Sequence, residues 1–342
     1  MARLDKYRLA MQATYEGATA QCLVEAFDAR ESDFANFIVD HGLGPVWHSR
    51  TGREEFKDAR RAAEALFLAQ HNALGDIGAA LNEAGVEYAL IKGGANRYLL
   101  YENPALRACY DLDILVRPVD RVRAVRALVG VGFSAQPEQG SISREIVLSR
   151  DRVDVDLHWS ILREGRLRHD SAEELLERRR KVNGVSMLHP DDALFVLLVH
   201  PAFGKHLSGW DMGLHRVADI IYWFRSQQVD WPSVHRRLCV NGVKTAAWAT
   251  LRWVQILNEH PNELEPLLAD TCPGTLRRRW IEHWLQQDLS ARLANKHLLR
   301  LLGFTTWLHD SPRDAVRALA GRVRAWRRRG ADVDVFRALS GE

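Results

Sequence analysis

The stretch that most constrains this chain is Asp111-Leu112-Asp113-Ile114-Leu115-Val116. Two acids stand two residues apart in a run that is otherwise apolar. On a β-strand such residues share a face, about 7 Å apart along the chain. Asp111 and Asp113 are therefore expected side by side, with Leu112, Ile114 and Val116 facing a core. Adjacent carboxylates repel each other and resist burial. A divalent cation between them removes the conflict, and Mg²⁺, which prefers oxygen ligands, suits the pair.

The flanking sequence frames that strand. Val86 to Ile91 reads as a short buried strand ending in Lys92-Gly93-Gly94. The two glycines are expected to turn the backbone sharply and let it approach a ligand. Ala95 to Leu100 reads as a helix start, whose free N–H groups favour a phosphate, and Tyr101-Glu102-Asn103-Pro104 ends it. Pro118 and Asp120 open a further helix carrying Val122, Val125, Leu128 and Val129. Glu145 to Leu148 and Val153 to Trp159 form an expected antiparallel hairpin around Arg150-Asp151-Arg152. Its second arm points Val153, Val155 and Leu157 one way and Asp154, Asp156 and His158 the other. That polar face can meet the Asp111/Asp113 face. Strand parity alone does not separate Asp154 from Asp156 as a third carboxylate, and it assigns Trp159 to the core.

On these residues the chain resembles the nucleotidyltransferase superfamily that includes DNA polymerase β and the aminoglycoside nucleotidyltransferases. Leu90 to Gly93, Arg107, Asp111 to Val116 and Val155-Asp156-Leu157-His158-Trp159 are similar to its bacterial branch known as uncharacterised nucleotidyltransferase, family 5. The spacer from Gly94 to Asp111 is longer than in compact members of the superfamily and suits this branch. The resemblance implies an α+β fold: a small mixed or antiparallel nucleotidyltransferase sheet flanked by N-terminal helices and a C-terminal helical region. It implies transfer of a nucleoside monophosphate from an NTP, with loss of pyrophosphate, to a small-molecule, peptide or protein acceptor. It favours Asp156 as the third acid, so that Asp111, Asp113 and Asp156 are the expected catalytic and Mg²⁺- or Mn²⁺-binding residues. Gly93 and Gly94 are then expected to receive the β- and γ-phosphates, and Lys92 and Arg107 to offset their charge, unless each instead pairs with a nearby acid. His158 is expected to contact substrate or a metal-bound water, or to support a ligand by hydrogen bonding.

The rest of the chain reads as helices. Before the sheet they include Ala35 to Val39, stopped at His41-Gly42-Leu43-Gly44-Pro45, and Ala59 to Asn82, with Ala62, Leu66, Ala69, Ala73, Ile77 and Leu81 at helical spacing. After it come a helix opened by Pro190-Asp191-Asp192, another over Gly213 to Arg225, more helix to about Asn258, and a helical 275–329. The expected division is a helical lead-in over 1–85, an α/β core over 86–188 and a helical domain over 189–342. His200, Lys205, His206, Arg216 and Asp219 could line the cleft by resemblance, although Arg216 and Asp219 at i,i+3 equally suit an ordinary helix ion pair. Arg322, Arg324, Arg327, Arg328 and Arg329 with Trp326 read as a basic helix end that could touch nucleic acid or an anionic membrane surface, although a solvated helix C-terminus explains it more simply.

Composition sets the outer limits. A content of 46% hydrophobic and 27% charged residues is that of a globular chain, and a net charge of +3 is too small to imply a polyanionic partner. Cys22, Cys109, Cys239 and Cys272 form no Cys-x-x-Cys pair, which argues against zinc or a disulfide framework and makes a reducing cytoplasm the expected location. The longest apolar runs, Ala193 to Val199 and Leu298 to Leu302, are far short of a bilayer span. Two other readings share the motif: a nucleotide-binding or scaffold protein without turnover, and an RNA- or tRNA-modifying transferase, which needs a basic cleft.

Overall fold

The structure, a computed structural model, describes residues 2–327 apart from 16, 29, 31–32, 136–143, 170–171, 206, 208–212, 227, 258–263 and 287–297. His206, Asn258, Arg328 and Arg329 lie outside the described residues, as do the side chains of Lys205 and Trp326.

Helices α1 (Ala2–Met11), α2 (Ala20–Asp28), α3 (Phe34–Asp40), α4 (Gly44–Thr51) and α5 (Lys57–Glu83) precede the sheet. Gly44 and Pro45, expected to stop α3, open α4, because proline's fixed φ and missing N–H suit a helix's first turn. The sheet contains β1 (Tyr88–Leu90), β2 (Asp111–Val116), β3 (Ser134–Ala135), β4 (Glu145–Arg150), β5 (Val153–His158), β6 (Arg180–Val182) and β7 (Val185–Met187). Its strand order is β3-β4-β5-β2-β1-β7-β6. β2 runs parallel to β5 and antiparallel to β1, while β4 and β5 form the expected hairpin. The sheet is therefore mixed, and the fold is the anticipated combination of a small sheet with helices before and after it.

The β6–β7 hairpin is an addition to the expected elements. It turns at Asn183 and Gly184, both with positive φ (51° and 80°), and β7 extends the sheet by pairing in parallel with β1. Asn-Gly is the residue pair that two-residue hairpin turns favour.

Period-2 alternation sorts the sheet's two faces. Leu112, Ile114 and Val116 of β2 share one core with Val155 and Leu157 of β5, with Leu74, Ile77 and Leu81 of α5, and with Val125 and Leu128 of α7 (Arg121–Gly130). Burying each such side chain contributes about 1.5–3 kcal/mol. Leu115 points the other way, into a second core built with α9 (Pro190–Lys205), α10 (Leu214–Arg225), the helix Lys244–Leu257 and the N-terminal helices. The acids of β2 share the face of Leu115, so the site opens between the sheet and α9 and α10. The helical stretch expected to run to about Asn258 is two helices, Trp231–Asn241 and Lys244–Leu257, divided at Gly242, whose φ is +70°. The described α-helices also include α8 (Ala172–Glu177), Glu265–Thr271, Thr275–Gln286, Leu298–Trp307 and Pro312–Arg327. No described helix is long and apolar enough to cross a membrane.

Candidate active site

Register brings the acids together. β2 pairs with β5 so that Asp111 stands opposite Asp154, Asp113 opposite Asp156 and Leu115 opposite His158. The β4–β5 hairpin sets Glu145 opposite His158. The two acids of β5 that parity left open lie in different surroundings. Asp154 is exposed and accepts a 2.6 Å hydrogen bond from Ser149 Oγ, whereas Asp156 lines the cavity. Trp159 is buried in the core, as expected.

A polar chain crosses the site. Lys92 Nζ donates to Asp113 Oδ1 at 2.5 Å, His158 Nε2 lies 2.8 Å from the same oxygen, and His158 Nδ1 lies 3.0 Å from Glu145 Oε2. Burial opposes charge on Asp113, yet Lys92 and His158 outweigh it and hold the carboxyl well below its usual range. Burial and Lys92 oppose charge on His158, but hydrogen bonds to Asp113 and Glu145 raise its pKa overall. Asp111 and Asp156 are in a different state: neither forms an ion pair or side-chain hydrogen bond among the described residues. Burial, then the charges of Asp113 and Asp111, push Asp156 up to about 6, and burial with Asp113 raises Asp111. Such unneutralised carboxylates are what a bound cation relieves. Asp113, Asp156 and His158 each offer a ligand atom, all within 4.8 Å of one another, so this group can hold a metal ion.

The sharp turn expected at the glycines falls one residue earlier. Gly93 and Gly94 lie in the first turn of α6 (Lys92–Leu100), and the left-handed backbone falls on Lys92, with φ +51°. The glycines are needed for closeness: a Cβ on Gly93 would meet the Arg107 guanidinium at 3.0 Å, and one on Gly94 would meet Leu90 Cδ1 at 2.9 Å.

Arg107 lines the smaller part of the cavity and takes the second of its two expected roles, pairing with an acid. It is 6% exposed, and its Nη2 and Nε bond Asp219 at 2.7 and 3.1 Å. Tyr101 Oη (2.9 Å) and Asn96 Nδ2 (3.0 Å) donate to the same carboxylate. Asp219 thus pairs with Arg107, not with Arg216 one helical turn before it. Arg216 instead faces the acids and makes no ion pair among the described residues; burial and Arg107 lower its pKa.

The cavity has two lobes. One, about 110 Å³, is lined by Gly93, Tyr110, Leu197 and His215; the other, about 210 Å³, by Glu145, Asp156, Arg163 and Arg166. Lys92, Asp111, Asp113, His200 and Arg216 border both. His200 is held neutral: burial, Lys92 and Arg216 push its pKa well down.

The sequence model of the family described as uncharacterised nucleotidyltransferase matches residues 38–258, most of the chain and all of this cavity's sheet face. The protein belongs to that nucleotidyltransferase family. No curated protein matches it. Membership supports a nucleotidyl-transfer role with a nucleotide substrate.

Sequence reasoning passed over Glu145 and undervalued Arg216. Glu145 was recoverable: counting back from the Arg150–Val153 end of the hairpin pairs it with His158. Arg216 carried no such signal, because its freedom depends on where Asp219 finds its partner.

Proposed function

We propose that the protein is a metal-dependent nucleotidyltransferase that moves a nucleoside monophosphate from an NTP to an acceptor with release of pyrophosphate. The supporting observation is the pair of unneutralised carboxylates, Asp111 and Asp156, flanking Asp113 where the two lobes meet. Mg²⁺ or Mn²⁺ would be held by Asp111, Asp113 and Asp156. Such an ion, when bound, lowers the acceptor's pKa and offsets charge on the attacking and leaving oxygens.

The chain's own groups supply position and proton handling. His158, steadied by Glu145, orients Asp113. The triphosphate enters the Gly93 lobe, where first-turn N–H groups of α6 lack helical partners and favour an anion. Lys92 and Arg216 offset its charge, a task Arg107 does not share because Asp219 already matches it. The acceptor lies in the Asp156 lobe. Its oxygen bonds the α-phosphorus, the bond from that phosphorus to the α–β bridging oxygen breaks, and the electron pair leaves with pyrophosphate. Asp156, in the acceptor's lobe, takes the acceptor's proton.

The test is Mg²⁺- or Mn²⁺-dependent pyrophosphate release from each of the four NTPs. Release that Asp111→Asn and Asp113→Asn each lower by about a hundredfold or more supports the proposal; equal release from the variants and wild type overturns it. One observation favours a reading without turnover: the Lys92 ammonium already neutralises Asp113. A nucleotide-induced rise in Tm with no pyrophosphate release under any metal supports that second reading.

A further inference from the structure

Beyond the acids, the larger lobe ends on a wall of arginines. Arg163 and Arg166, in the segment after β5, line it and also line a second cavity of about 40 Å³ on their far side. Its lining also includes Glu164, Thr305, Thr306, His309, Arg322 and small apolar residues of the helix Pro312–Arg327. Thr305 and Thr306 belong to the helix Leu298–Trp307 and Arg322 to Pro312–Arg327, both beyond the family match, which ends at residue 258.

The wall is fixed in place. Pro312–Arg327 crosses the 163–166 segment at backbone distance: a Cβ on Gly165 would lie 2.6 Å from the Arg317 carbonyl oxygen, and one on Gly321 would overlap the Glu164 carbonyl. Asp314 binds Arg168 at 2.8 Å, and Arg324 binds Glu164 at 2.8 Å.

Positive charge outnumbers negative in this lining: its one acid, Glu164, is already paired with Arg324, and Arg166 lies over the Phe203 ring at 5.3 Å. Arg163 and Arg322 form no ion pair with an acid among the described residues. Arg166 donates to the Phe203 carbonyl oxygen at 2.8 Å, which leaves its charge unmatched. Burial, then Arg163 and Arg322, push the Arg166 guanidinium down to about 9. His309 also lines the cavity; it is 2% exposed, and burial, then Arg166, pushes its pKa down to about 4. A volume of 40 Å³ is about three times what one water needs, the space of a single phosphate group and too little for a sugar ring. Guanidinium groups match phosphate oxygens in geometry and charge.

We propose that this arginine cavity binds a phosphate monoester group of the acceptor, leaving the acceptor's nucleophilic hydroxyl in the adjoining lobe beside Asp156. The anion site stands on its own geometry; its role in acceptor choice rests on the nucleotidyl-transfer reading above.

Two arms keep those parts separate. In the first, inorganic phosphate is titrated calorimetrically into the wild type, Arg163→Gln, Arg322→Gln and Asp111→Asn. Both arginines carry no structural ion pair, so their loss leaves the fold intact. The expected result is binding by the wild type and Asp111→Asn, weakened at least tenfold in either arginine variant. No binding by the wild type, or equal binding by the arginine variants, overturns the anion site. In the second, pyrophosphate release is followed with ribose 5-phosphate against ribose and glycerol 3-phosphate against glycerol. At least tenfold faster release with the phosphorylated member of a pair, lost in Arg163→Gln, supports the acceptor role. Equal release within both pairs overturns it. No release from any NTP overturns the transfer reading and the acceptor role together, while the first arm still decides the anion site.

Discussion

Two charged clusters meet at Gly93 and are built on opposite terms. On one side, Asp219 is fully buried and collects donors from Arg107, Tyr101 and Asn96, and Trp223 Nε1 in turn reaches Asn96 Oδ1 at 3.4 Å. Every charge there has its opposite. On the other side, Lys92 and His158 both serve Asp113, while Asp111 and Asp156 are left unmatched and Arg216 faces them across the cavity. The closed cluster ties α6 and the segment before β2 to α10, holding the strand that carries the acids. The open cluster keeps its charges for a ligand. A buried pair that lacks nothing has little left to offer a substrate, whereas unpaired buried charge marks a place where chemistry is expected.

The contrast can be broken at either end. The largest effect is expected from Asp219→Ala, which strands the Arg107 guanidinium in the interior and should cost about 3–5 kcal/mol of unfolding free energy in denaturant titrations. Stability equal to wild type would mean that Arg107 finds water, and that the cluster is not closed.

Asp111→Asn should do the reverse. It is expected to lower the rate of pyrophosphate release by about 10²–10³-fold, the scale of losing one electrostatic contributor to a transition state. Its melting temperature without divalent ions should equal or exceed that of wild type, because a repelling charge has gone. A variant that unfolds would place Asp111 with the structural residues.

Smaller again is Glu145→Gln, which takes the charge from behind His158. Partners at one remove from a ligand typically account for about 10–100-fold in activity or metal affinity. Titration of Mn²⁺ against this variant, with unchanged Tm as the control, checks it.

The smallest effect lies in pH dependence. The carboxyl of Asp156 is raised from 3.8 to about 6 in the folded protein. The native state therefore keeps a proton that the unfolded chain has already released. The stability from this group is complete below pH 3.8 and is lost as pH rises through about 6. Without divalent ions, Asp156→Asn should flatten the fall of Tm between pH 4 and 6 and match or exceed wild type at pH 7. An unchanged slope would mean that Asp156 is solvated in the native state.

Much of this architecture was open to reading before any coordinates. β2 and β5 alternate cleanly, so the face shared by Asp111, Asp113, Asp156 and His158 follows from parity, and α5 follows from apolar residues at helical spacing. β6 and β7 escaped because three residues each are too few to show alternation, even with Asn183-Gly184 marking their turn. The glycines misled for a related reason. A Gly-Gly pair suggests a bend, but here both lie within a helix, and it is Arg107 and Leu90 that leave no room for a Cβ.

The amino-acid order by itself determined which side chains share a strand face, since a period of two is a property of the backbone. Only tertiary structure decided which charges find partners. Asp154 and Asp156 have the same parity, yet one sits at an exposed position beside Ser149 and the other lines the cavity. Arg107 finds Asp219 across 112 positions, and that distant pairing frees Arg216. Coulombic compensation depends on distance and burial in three dimensions, and neither is encoded in local spacing.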